Sequence, residues 1–340
     1  ILIRRFNVGV DLGTSNLLIY IEGRGVVFKE PSIIAIDKAT QKVVAVGNDA
    51  AELVGKVHDK VEVIKPLSGG VISDIEMIRE ILEFTFDKLL PGGVQSIHKL
   101  LLCMPSEITA TEKEALIKLG NELGVQRTKI EEEIKASAIG GGINIYTPCG
   151  NLVIDIGGGT TNIGVISLGD VVLSKSTKVA GDFFDKQIMH HLKEKHKLEI
   201  GLQTAEKIKV KLASLVGDLP CDEEENVLTY NAMGRDLISG LPRMAVVGAK
   251  EIRKIMLECF ESIKSTLIST LEIMPPELSG DLVDNGITIT GGGALIKGVK
   301  EYFEEIVKVN VKIASSPINA VVDGTKSLLK IEKEHYYGDY

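Results

Sequence analysis

The fold is decided by the stretch Leu152-Val153-Ile154-Asp155-Ile156-Gly157-Gly158-Gly159-Thr160-Thr161-Asn162-Ile163-Gly164-Val165. The same layout occurs earlier, in Val8-Gly9-Val10-Asp11-Leu12-Gly13-Thr14-Ser15-Asn16-Leu17-Leu18-Ile19. In each copy an acidic residue lies near the end of an apolar strand, glycine and hydroxyl residues follow, and an apolar strand resumes. Glycine lets backbone N–H groups turn toward an anion, and hydroxyls add further donors. The pattern therefore predicts a duplicated phosphate-binding hairpin.

The alternative is a pair of ordinary hairpins whose glycines only supply positive φ angles. A single short glycine motif would leave both interpretations open. The repeat favours phosphate binding, since two such loops facing each other would hold a nucleotide tail from both sides. The loops differ in one respect, because the spacing from Asp11 to Asn16 is two residues shorter than that from Asp155 to Asn162.

Composition limits the class of protein. At 340 residues the chain is long enough for two domains. The net charge of -8 argues against a nucleic-acid partner, which would need a basic surface. The four cysteines form no CxxC pair, so we expect neither a zinc site nor disulfides, and a cytoplasmic location fits best. No apolar run is long enough to span a membrane, and no signal peptide is evident.

Hydrophobic spacing and start and stop residues predict the main elements. Asp74 opens a helix that Pro91 ends, and a second helix runs from about Ala110 to Glu122. A shorter helix is predicted from about Ile130 to Ile139, and a long one from about Ala249 to Leu271.

A third glycine cluster lies near the end of the chain. Ile287-Thr288-Ile289-Thr290 is predicted as a strand, and Gly291-Gly292-Gly293-Ala294 as a sharp turn into a helix. Such glycines let a flat or anionic ligand approach the backbone at a helix N-terminus. The alternative is a tight strand-to-helix turn without a ligand.

These signals together resemble the actin, Hsp70 and sugar-kinase superfamily, and within it the bacterial actin MreB family. The similarity extends from about residue 6 to residue 330. The segments that carry it are Asp11-Leu12-Gly13-Thr14-Ser15-Asn16, Asn151 to Thr161, Val165-Ile166-Ser167-Leu168-Gly169, Ala180-Gly181-Asp182, Thr204-Ala205-Glu206, Gly240-Leu241-Pro242-Arg243, Pro275-Pro276-Glu277-Leu278 and Thr290-Gly291-Gly292-Gly293.

The resemblance implies an α/β, actin-like fold, a duplicated ribonuclease H-like arrangement around a nucleotide cleft. Domain I would comprise residues 1–144 plus a returning segment, 315–340, with a small subdomain at about 32–65. Domain II would span residues 145–314, with a small subdomain at about 183–239.

The resemblance also implies the ligands and their residues. The cofactors would be ATP or ADP with Mg²⁺, and Asp11 and Asp155 would hold the ion through its waters. Glu206 and Lys209 would contact the ribose and base. The residues implied for the rest of the nucleotide site are Gly13, Thr14, Ser15, Asn16, Gly157, Gly158, Gly159, Thr160, Gly181, Gly291, Gly292 and Gly293.

Catalysis would rest on Glu133 as the residue that orients water and on Thr160 in the second loop. Glu133 is identified by its distance from Ala138-Ile139-Gly140, which resembles the family's motif. Glu131 and Glu132 are interpreted as an acidic first turn that suits the helix dipole. The family usually has proline and methionine after this glutamate, whereas this chain has Ile134 and Lys135. We therefore expect slow ATP hydrolysis, with Lys135 able to draw the carboxylate away.

The expected function is a cytoskeletal filament, formed by head-to-tail self-association in paired protofilaments, that supports cell shape or motility. A metabolic kinase would need extra segments and a substrate-directed base, and an Hsp70-type chaperone a further domain. The alternative that stays open is a nonpolymerising actin-like ATPase scaffold of a membrane-associated assembly.

An anionic membrane surface is a further expected partner, at the cytoplasmic face of the cell membrane. The candidate segments are residues 1–6, which could equally form an edge strand, and the loop at residues 89–98. The histidines His190, His191 and His196 are interpreted as solvated helix residues, because no set of cysteines or carboxylates completes a metal-ligand pattern.

Overall fold

A computed structural model describes residues 5–56, 59–106 and 108–335, with side chains up to residue 330. The chain divides into two compact units. The first contains the residues up to Thr147, Leu168–Val171 and the residues from Ala314 onward, and the second contains Pro148–Ser167 and Val172–Ile313. The domain and subdomain boundaries expected from the sequence stay a prediction.

Most of the first unit precedes residue 147. Its elements in chain order are β1 (Phe6–Leu12), β2 (Asn16–Ile21), β3 (Gly25–Pro31), β4 (Ile34–Asp37), β5 (Val43–Val46), α1 (Asn48–Ala51), β6 (Val61–Ile64), β7 (Leu67–Ser68), β8 (Val71–Ile72), α2 (Ile75–Leu89), a 3₁₀ helix (Gly93–Ser96), β9 (Ile97–Met104), α3 (Ala110–Glu122), β10 (Arg127–Glu132) and α4 (Glu133–Gly140).

The remaining elements form the second unit and the return to the first. They are β11 (Asn151–Ile156), β12 (Thr161–Ser167), β13 (Asp170–Thr177), α5 (Gly181–Lys195), β14 (Leu198–Glu199), α6 (Leu202–Leu212), β15 (Thr229–Asp236), β16 (Pro242–Gly248), α7 (Ala249–Ile273), α8 (Pro276–Asn285), β17 (Ile287–Thr290), a 3₁₀ helix (Gly292–Leu295), α9 (Val299–Val307), β18 (Val311–Ile313), a 3₁₀ helix (Pro317–Asn319) and α10 (Ala320–His335).

The two units repeat one sheet. Among the described residues, the larger sheet of the first unit has the order β3-β2-β1-β9-β10, and that of the second has β13-β12-β11-β17-β18. In both, an antiparallel hairpin pairs through its first strand with a parallel strand from later in the chain. Because the duplicated hairpin occupies the same place in both sheets, the two halves of the chain are copies of one topology.

Each unit has its own apolar core. In the first, β1, β2 and β9 pack against α2 and α3, and Ile78, Leu82 and Phe86 of α2 are fully buried. In the second, Phe184, Phe260 and Phe303 meet beside the sheet, and the Phe184 and Phe260 rings stack with centroids 5.5 Å apart. The second core is therefore built partly from aromatic rings, although the chain contains no tryptophan.

Local start signals place several helices where the sequence predicts them. Asp74 caps α2 by accepting from the amides of Glu76 and Met77, and Thr109 with Glu112 forms a capping box on α3. The prediction of a helix from Ala249 is also confirmed, since α7 begins there.

The helix predicted from Ile130 is partly wrong. Residues Arg127–Glu132 form β10, which pairs in parallel with β9 and places Ile130 opposite Leu102. Only Glu133–Gly140 is helical, so Glu131 and Glu132 belong to the strand and not to an acidic first turn. The spacing of Ile130, Ile134 and Ala138 matches a helical stripe, but pairing with a buried neighbouring strand overrides that local signal.

Smaller sheets accompany the larger ones. In the first unit β4 lies between β5 and β6, and Ala35, Ala45 and Ala50 are buried beside them. In the second unit β15 lies between β14 and β16. Within the described part of the chain, no helix is both long enough and apolar enough to cross a bilayer.

Candidate functional site

The first hairpin loop, between β1 and β2, is closed by a hydrogen bond from the Gly13 amide to the Asn16 carbonyl at 3.1 Å. A Cβ on Gly13 would lie 2.9 Å from that carbonyl oxygen, so the tight loop favours glycine. Thr14 is buried, whereas Asn16 is exposed.

Neighbouring segments hold this loop from outside. The Ser32 hydroxyl donates to the Gly13 carbonyl at 2.7 Å, and the Ser32 amide donates to the Ser15 carbonyl at 3.0 Å. The Gly70 amide, in the β7–β8 turn, donates to the Thr14 hydroxyl oxygen at 3.1 Å. The backbone of the loop is thus fixed by groups that carry no charge.

The second hairpin loop, between β11 and β12, closes in the same way. The Gly157 amide donates to the Thr160 carbonyl at 3.0 Å. The first amides of α5 support it, because Gly181 donates to the Gly157 carbonyl at 3.1 Å and Asp182 to the Gly158 carbonyl at 2.8 Å. A Cβ on Gly181 would meet Gly158 at 3.4 Å, so α5 approaches the loop closely.

The sequence suggests loops of different length, and the strand registers show that this expectation is wrong. Leu12 pairs with Leu17 in the first hairpin, and Ile156 pairs with Thr161 in the second, so the loops have equal length. Thr160 therefore takes the position of Asn16, and Asn162 lies within a strand opposite Asp155. The two asparagines are not equivalent, because the hairpin turn and not the residue type fixes the register.

The two aspartates occupy equivalent and buried positions. Asp11 pairs with Cys103 on the parallel strand β9, and Asp155 pairs with Thr290 on β17. Their residues are 6% and 2% exposed. A buried carboxylate is costly unless donors or a cation accompany it, and Mg²⁺ prefers such oxygen ligands. The residues present therefore fit a magnesium ion, although the assignment stays a prediction.

The glycine turn after β17 lies directly against Asp155. Gly291 has a φ of +79°, and a Cβ there would lie 2.4 Å from the Asp155 carboxylate and from the Ile156 carbonyl oxygen. Gly292 has open space around its Cα, whereas a Cβ on Gly293 would overlap Ile156. The turn continues as a 3₁₀ helix, and α9 starts only at Val299, later than the sequence predicts.

Lys209 is held inside the second unit. Its ammonium group donates to the Gly181 carbonyl at 3.1 Å and to the Asp185 carboxylate at 2.9 Å. Burial raises the pKa of Asp185 to about 6, although Lys209 lowers it. Glu206, one turn earlier on α6, is exposed. Lys209 is thus linked through Gly181 to the second loop, and the roles of both residues toward the ribose and base stay predictions.

Acidic residues lie beside Cys103 on the two strands that flank β9. Glu131 and Asp11 pair with Cys103 from β10 and β1, on its two sides. Burial raises the pKa of the Cys103 thiol, a hydrogen bond with Thr325 acts in the opposite direction, and the charges of Asp11, Glu131 and Glu133 raise the pKa further. Glu133, at the start of α4, directly follows Glu132, which pairs with Met104, so it lies at the strand end that carries Asp11.

Lys135 pairs with a different glutamate from the one that the sequence suggests. Its ammonium group pairs with Glu131 at 3.6 Å, on the preceding strand. The side chain of Ile134 is fully buried. Of the two residues that follow Glu133, Ile134 thus packs in the core and Lys135 forms an ion pair with Glu131.

Sequence reasoning missed Ser32, Gly70 and Asp185 as residues that support the loops. Each lies far in sequence from its partner or outside any glycine motif. Only Asp185 offered a signal, since it follows Gly181 by one helical turn on the face that meets α6.

The repeated sheet, with an aspartate and a glycine loop at the same register in both copies, defines the actin-like class of proteins. Within that class the chain belongs to the MreB/Mbl family, whose model, described as MreB/Mbl protein, matches residues 5–336. The family expected from the sequence motifs is therefore confirmed.

Individual relatives are similar over nearly their whole length. The chain is 42% identical over 323 residues to the cell shape-determining protein Mbl of Bacillus subtilis (strain 168), covering 95% of each. It is 34% identical over 342 residues to the cell shape-determining protein MreB of Escherichia coli (strain K12), covering 97% of this chain and 94% of that protein.

Solved structures agree with this assignment. MreB5 of Spiroplasma citri bound to AMPPNP superposes with a TM-score of 0.91 at 42% identity, covering 97% of each chain. A MamK double helical filament subunit is 22% identical with a TM-score of 0.76, covering 97% of this chain and 99% of that one, which shows the shared actin-like fold.

Proposed function

We propose that this chain is a bacterial actin that binds ATP with Mg²⁺, hydrolyses it slowly and polymerises head to tail into filaments that serve cell shape or motility. The observation that carries the proposal is the equivalence of Asp11 and Asp155, each buried beside a closed glycine loop. Nucleotide binding is further supported by the solved relative bound to AMPPNP.

The loops would bind phosphate oxygens through backbone amides and hydroxyls, and Asp11 and Asp155 would hold the magnesium ion. The ion would neutralise phosphate charge during transfer. Gly291, Gly292 and Gly293 would lie under the nucleoside, where Gly292 leaves room for a flat ligand.

Hydrolysis would depend on Glu133 and Thr160. Phosphoryl transfer is mostly a matter of positioning, so a carboxylate that orients the attacking water is enough for slow turnover. The Thr160 hydroxyl oxygen accepts from the Asn162 side chain at 3.4 Å, which leaves its own proton for donation elsewhere. Asn162 thereby orients the hydroxyl.

Self-association has a suitable surface on the small sheet of the second unit. Met233 and Met244 are opposite each other on β15 and β16, and both are at least half exposed, at 70% and 51%. Val246, on the same face, is 55% exposed. Contiguous exposed apolar side chains typically mark protein interfaces, and a head-to-tail contact that does not close produces a filament.

Membrane association would use residues 1–6 and not the loop at residues 89–98. In that loop Leu90, Val94 and Ile97 are buried, so few apolar groups are offered to lipid. Residues 1–4 lie outside the described part of the chain, and Phe6 is buried in β1. Sedimentation with anionic liposomes would test this, since a chain that starts at Phe6, which keeps β1 complete, should lose any binding.

The ATPase proposal is tested by phosphate release from the full chain and from Glu133→Ala. We expect the variant to be about 100-fold slower, because a positioned general base or water-orienting group contributes on this scale. Indistinguishable rates would contradict the role of Glu133.

Polymerisation is tested by pelleting and electron microscopy with ATP. We expect filaments from the wild type and fewer from Met233→Lys, whereas Ile273→Lys, another exposed apolar site at 56% exposure, serves as a control. A wild type that stays monomeric at high concentration would favour the nonpolymerising scaffold instead.

A further inference from the structure

A cluster of nitrogen and oxygen ligands lies in the second unit, apart from both glycine loops. Two histidines at the end of α5 converge on Glu251 in the first turn of α7. The Nε2 atoms of His191 and His196 each lie 3.1 Å from the same Glu251 carboxylate oxygen, Oε2. The three ligand atoms lie within 4.8 Å of one another.

This cluster overturns one interpretation of the sequence. The sequence predicts solvated histidines without a set of cysteines or carboxylates to complete a ligand pattern, yet Glu251 completes one from a different helix. His190 behaves as expected, since its side chain is 62% exposed and pairs with Glu194 at 3.2 Å. Only the tertiary packing of α5 against α7 brings the third ligand to His191 and His196.

The backbone around the cluster fixes its ligand atoms. The other carboxylate oxygen of Glu251 accepts from the Gly248 amide at 2.9 Å, which caps α7. His196 is the C-terminal cap residue of α5: its amide donates to Leu192, and its carbonyl accepts from Arg243. The side chains of His191, His196 and Glu251 are 27%, 20% and 13% exposed. A half-buried, anchored ligand set loses little freedom on binding an ion.

The spacing suits a tetrahedral transition-metal ion. Bonds of about 2.0–2.1 Å to imidazole nitrogen and carboxylate oxygen require ligand atoms roughly 3.4 Å apart. The two N–O distances of 3.1 Å are near that value. Two imidazoles and a carboxylate favour Zn²⁺ and similar ions over Mg²⁺, which prefers oxygen ligands only.

Lys195 is the competitor for this carboxylate. Its ammonium group lies 2.6 Å from Glu251 Oε2, the atom that a metal would use. The Lys195 side chain is 56% exposed, so it can turn into solvent at little cost. The competing interpretation is that Lys195 and Glu251 form an ion pair and that no metal binds. The two interpretations predict different effects of removing Lys195 on Zn²⁺ binding.

We infer that His191, His196 and Glu251 bind one Zn²⁺-class transition-metal ion, which fastens the end of α5 to the start of α7 and leaves a fourth position for water. Since α5 also supports the loop at Gly157 and Gly158, the ion would stabilise the helix on which that loop rests. This inference is independent of ATP binding, because none of its three ligands belongs to the nucleotide residues.

The test is titration of the full chain with ZnCl₂ by calorimetry and with CoCl₂ by visible absorption. We expect one site, the d–d bands of four-coordinate Co²⁺ without a thiolate charge-transfer band, and a rise in melting temperature with Zn²⁺. The variants His191→Gln and His196→Gln should bind at least about 10-fold more weakly. His190→Gln, one residue away, is the matched control and should bind as the wild type does.

Lys195→Ala separates the two interpretations. If the cluster binds metal, removing the competing ammonium group strengthens Zn²⁺ binding. Absence of stoichiometric binding in both the wild type and Lys195→Ala would overturn the inference. Equal binding by the wild type and by the double variant His191→Gln/His196→Gln would also overturn it, because the metal would then lie elsewhere.

Discussion

The two hairpin loops have the same register and closing hydrogen bond but different supports. The first is held by uncharged groups, namely the Ser32 hydroxyl and the Gly70 amide. The second is held by the first amides of α5, and α5 is in turn tied to α6 by the Lys209–Asp185 ion pair. The turn is thus the same in both copies, while the groups that support it differ. The second loop is therefore supported by α5 and, through α5, by α6. The first loop is supported by the connection between β3 and β4 and by the β7–β8 turn.

The largest difference lies at the strand end beside each aspartate. In the second unit Gly291 has a positive φ and touches Asp155, whereas in the first unit β9 continues beyond Cys103 to Met104. We expect Gly291→Ala to destabilise the second unit by roughly 2–5 kcal/mol, because strain and overpacking combine. Urea unfolding measures the change. Gly292→Ala, where a Cβ meets open space, is the control and should be nearly neutral.

Substitution of the two aspartates tests the proposed magnesium binding. Asp11→Asn and Asp155→Asn should each weaken Mg²⁺-dependent ATP binding by about 10–100-fold, the range seen when groups that orient a metal are lost. Binding of a fluorescent ATP analogue with Mg²⁺ or with EDTA measures it. Affinities in EDTA should change much less, and loss of Mg²⁺ dependence in only one variant would assign the ion to that hairpin.

The charged support of the second loop should make its unit sensitive to pH. The Asp185 pKa is raised from 3.8 to about 6, so the folded state binds a proton more tightly than the unfolded state between these values. This contribution to stability is complete below pH 3.8 and is lost as the pH rises through about 6, with an upper limit of about 3 kcal/mol.

Denaturation of the wild type and Asp185→Asn between pH 4 and 7 measures this effect. The variant should lack the corresponding slope, whereas Ser32→Ala, which alters the first loop, should keep it. Parallel pH profiles for the wild type and Asp185→Asn would contradict the raised pKa.

Each unit also has a side-chain hydroxyl that donates a hydrogen bond near its loop, and loss of either one should have a smaller effect on stability. Ser32 donates to Gly13 at 2.7 Å, and Thr161 donates to Val179, just before α5, at 2.8 Å. Ser32→Ala and Thr161→Val should each cost about 1 kcal/mol, the usual contribution of one buried hydrogen bond. Hydrogen exchange at each loop should show protection lost only in the unit that carries the substitution.

The smallest expected effect is at Lys135. Because this side chain pairs with Glu131, Lys135→Ala should change ATP hydrolysis by less than about twofold, as for a weak ion pair. Phosphate release under single-turnover conditions measures it. A large gain in rate would instead mean that Lys135 restrains Glu133.

Much of the fold could be predicted from short segments of sequence. The hairpins, the cap at Asp74 and the capping box at Thr109 depend on residues within a few positions of each other. Prediction failed for β10, because a helical spacing at Ile130 and Ile134 competed with a strand pairing that only β9 provides. It also failed for the loop lengths, where two asparagines suggested an equivalence that the register excludes.

The sequence by itself determined the duplicated glycine hairpins, their aspartates and the family, because each of these depends on neighbouring residues that close a turn or end a strand. Only the tertiary structure decided which partner Lys135 takes, which groups support each loop, and that Glu251 joins His191 and His196. These contacts join side chains from different elements, most of them far apart in the sequence. Their pairing is set by how helices and strands pack in the folded chain, which no local pattern encodes.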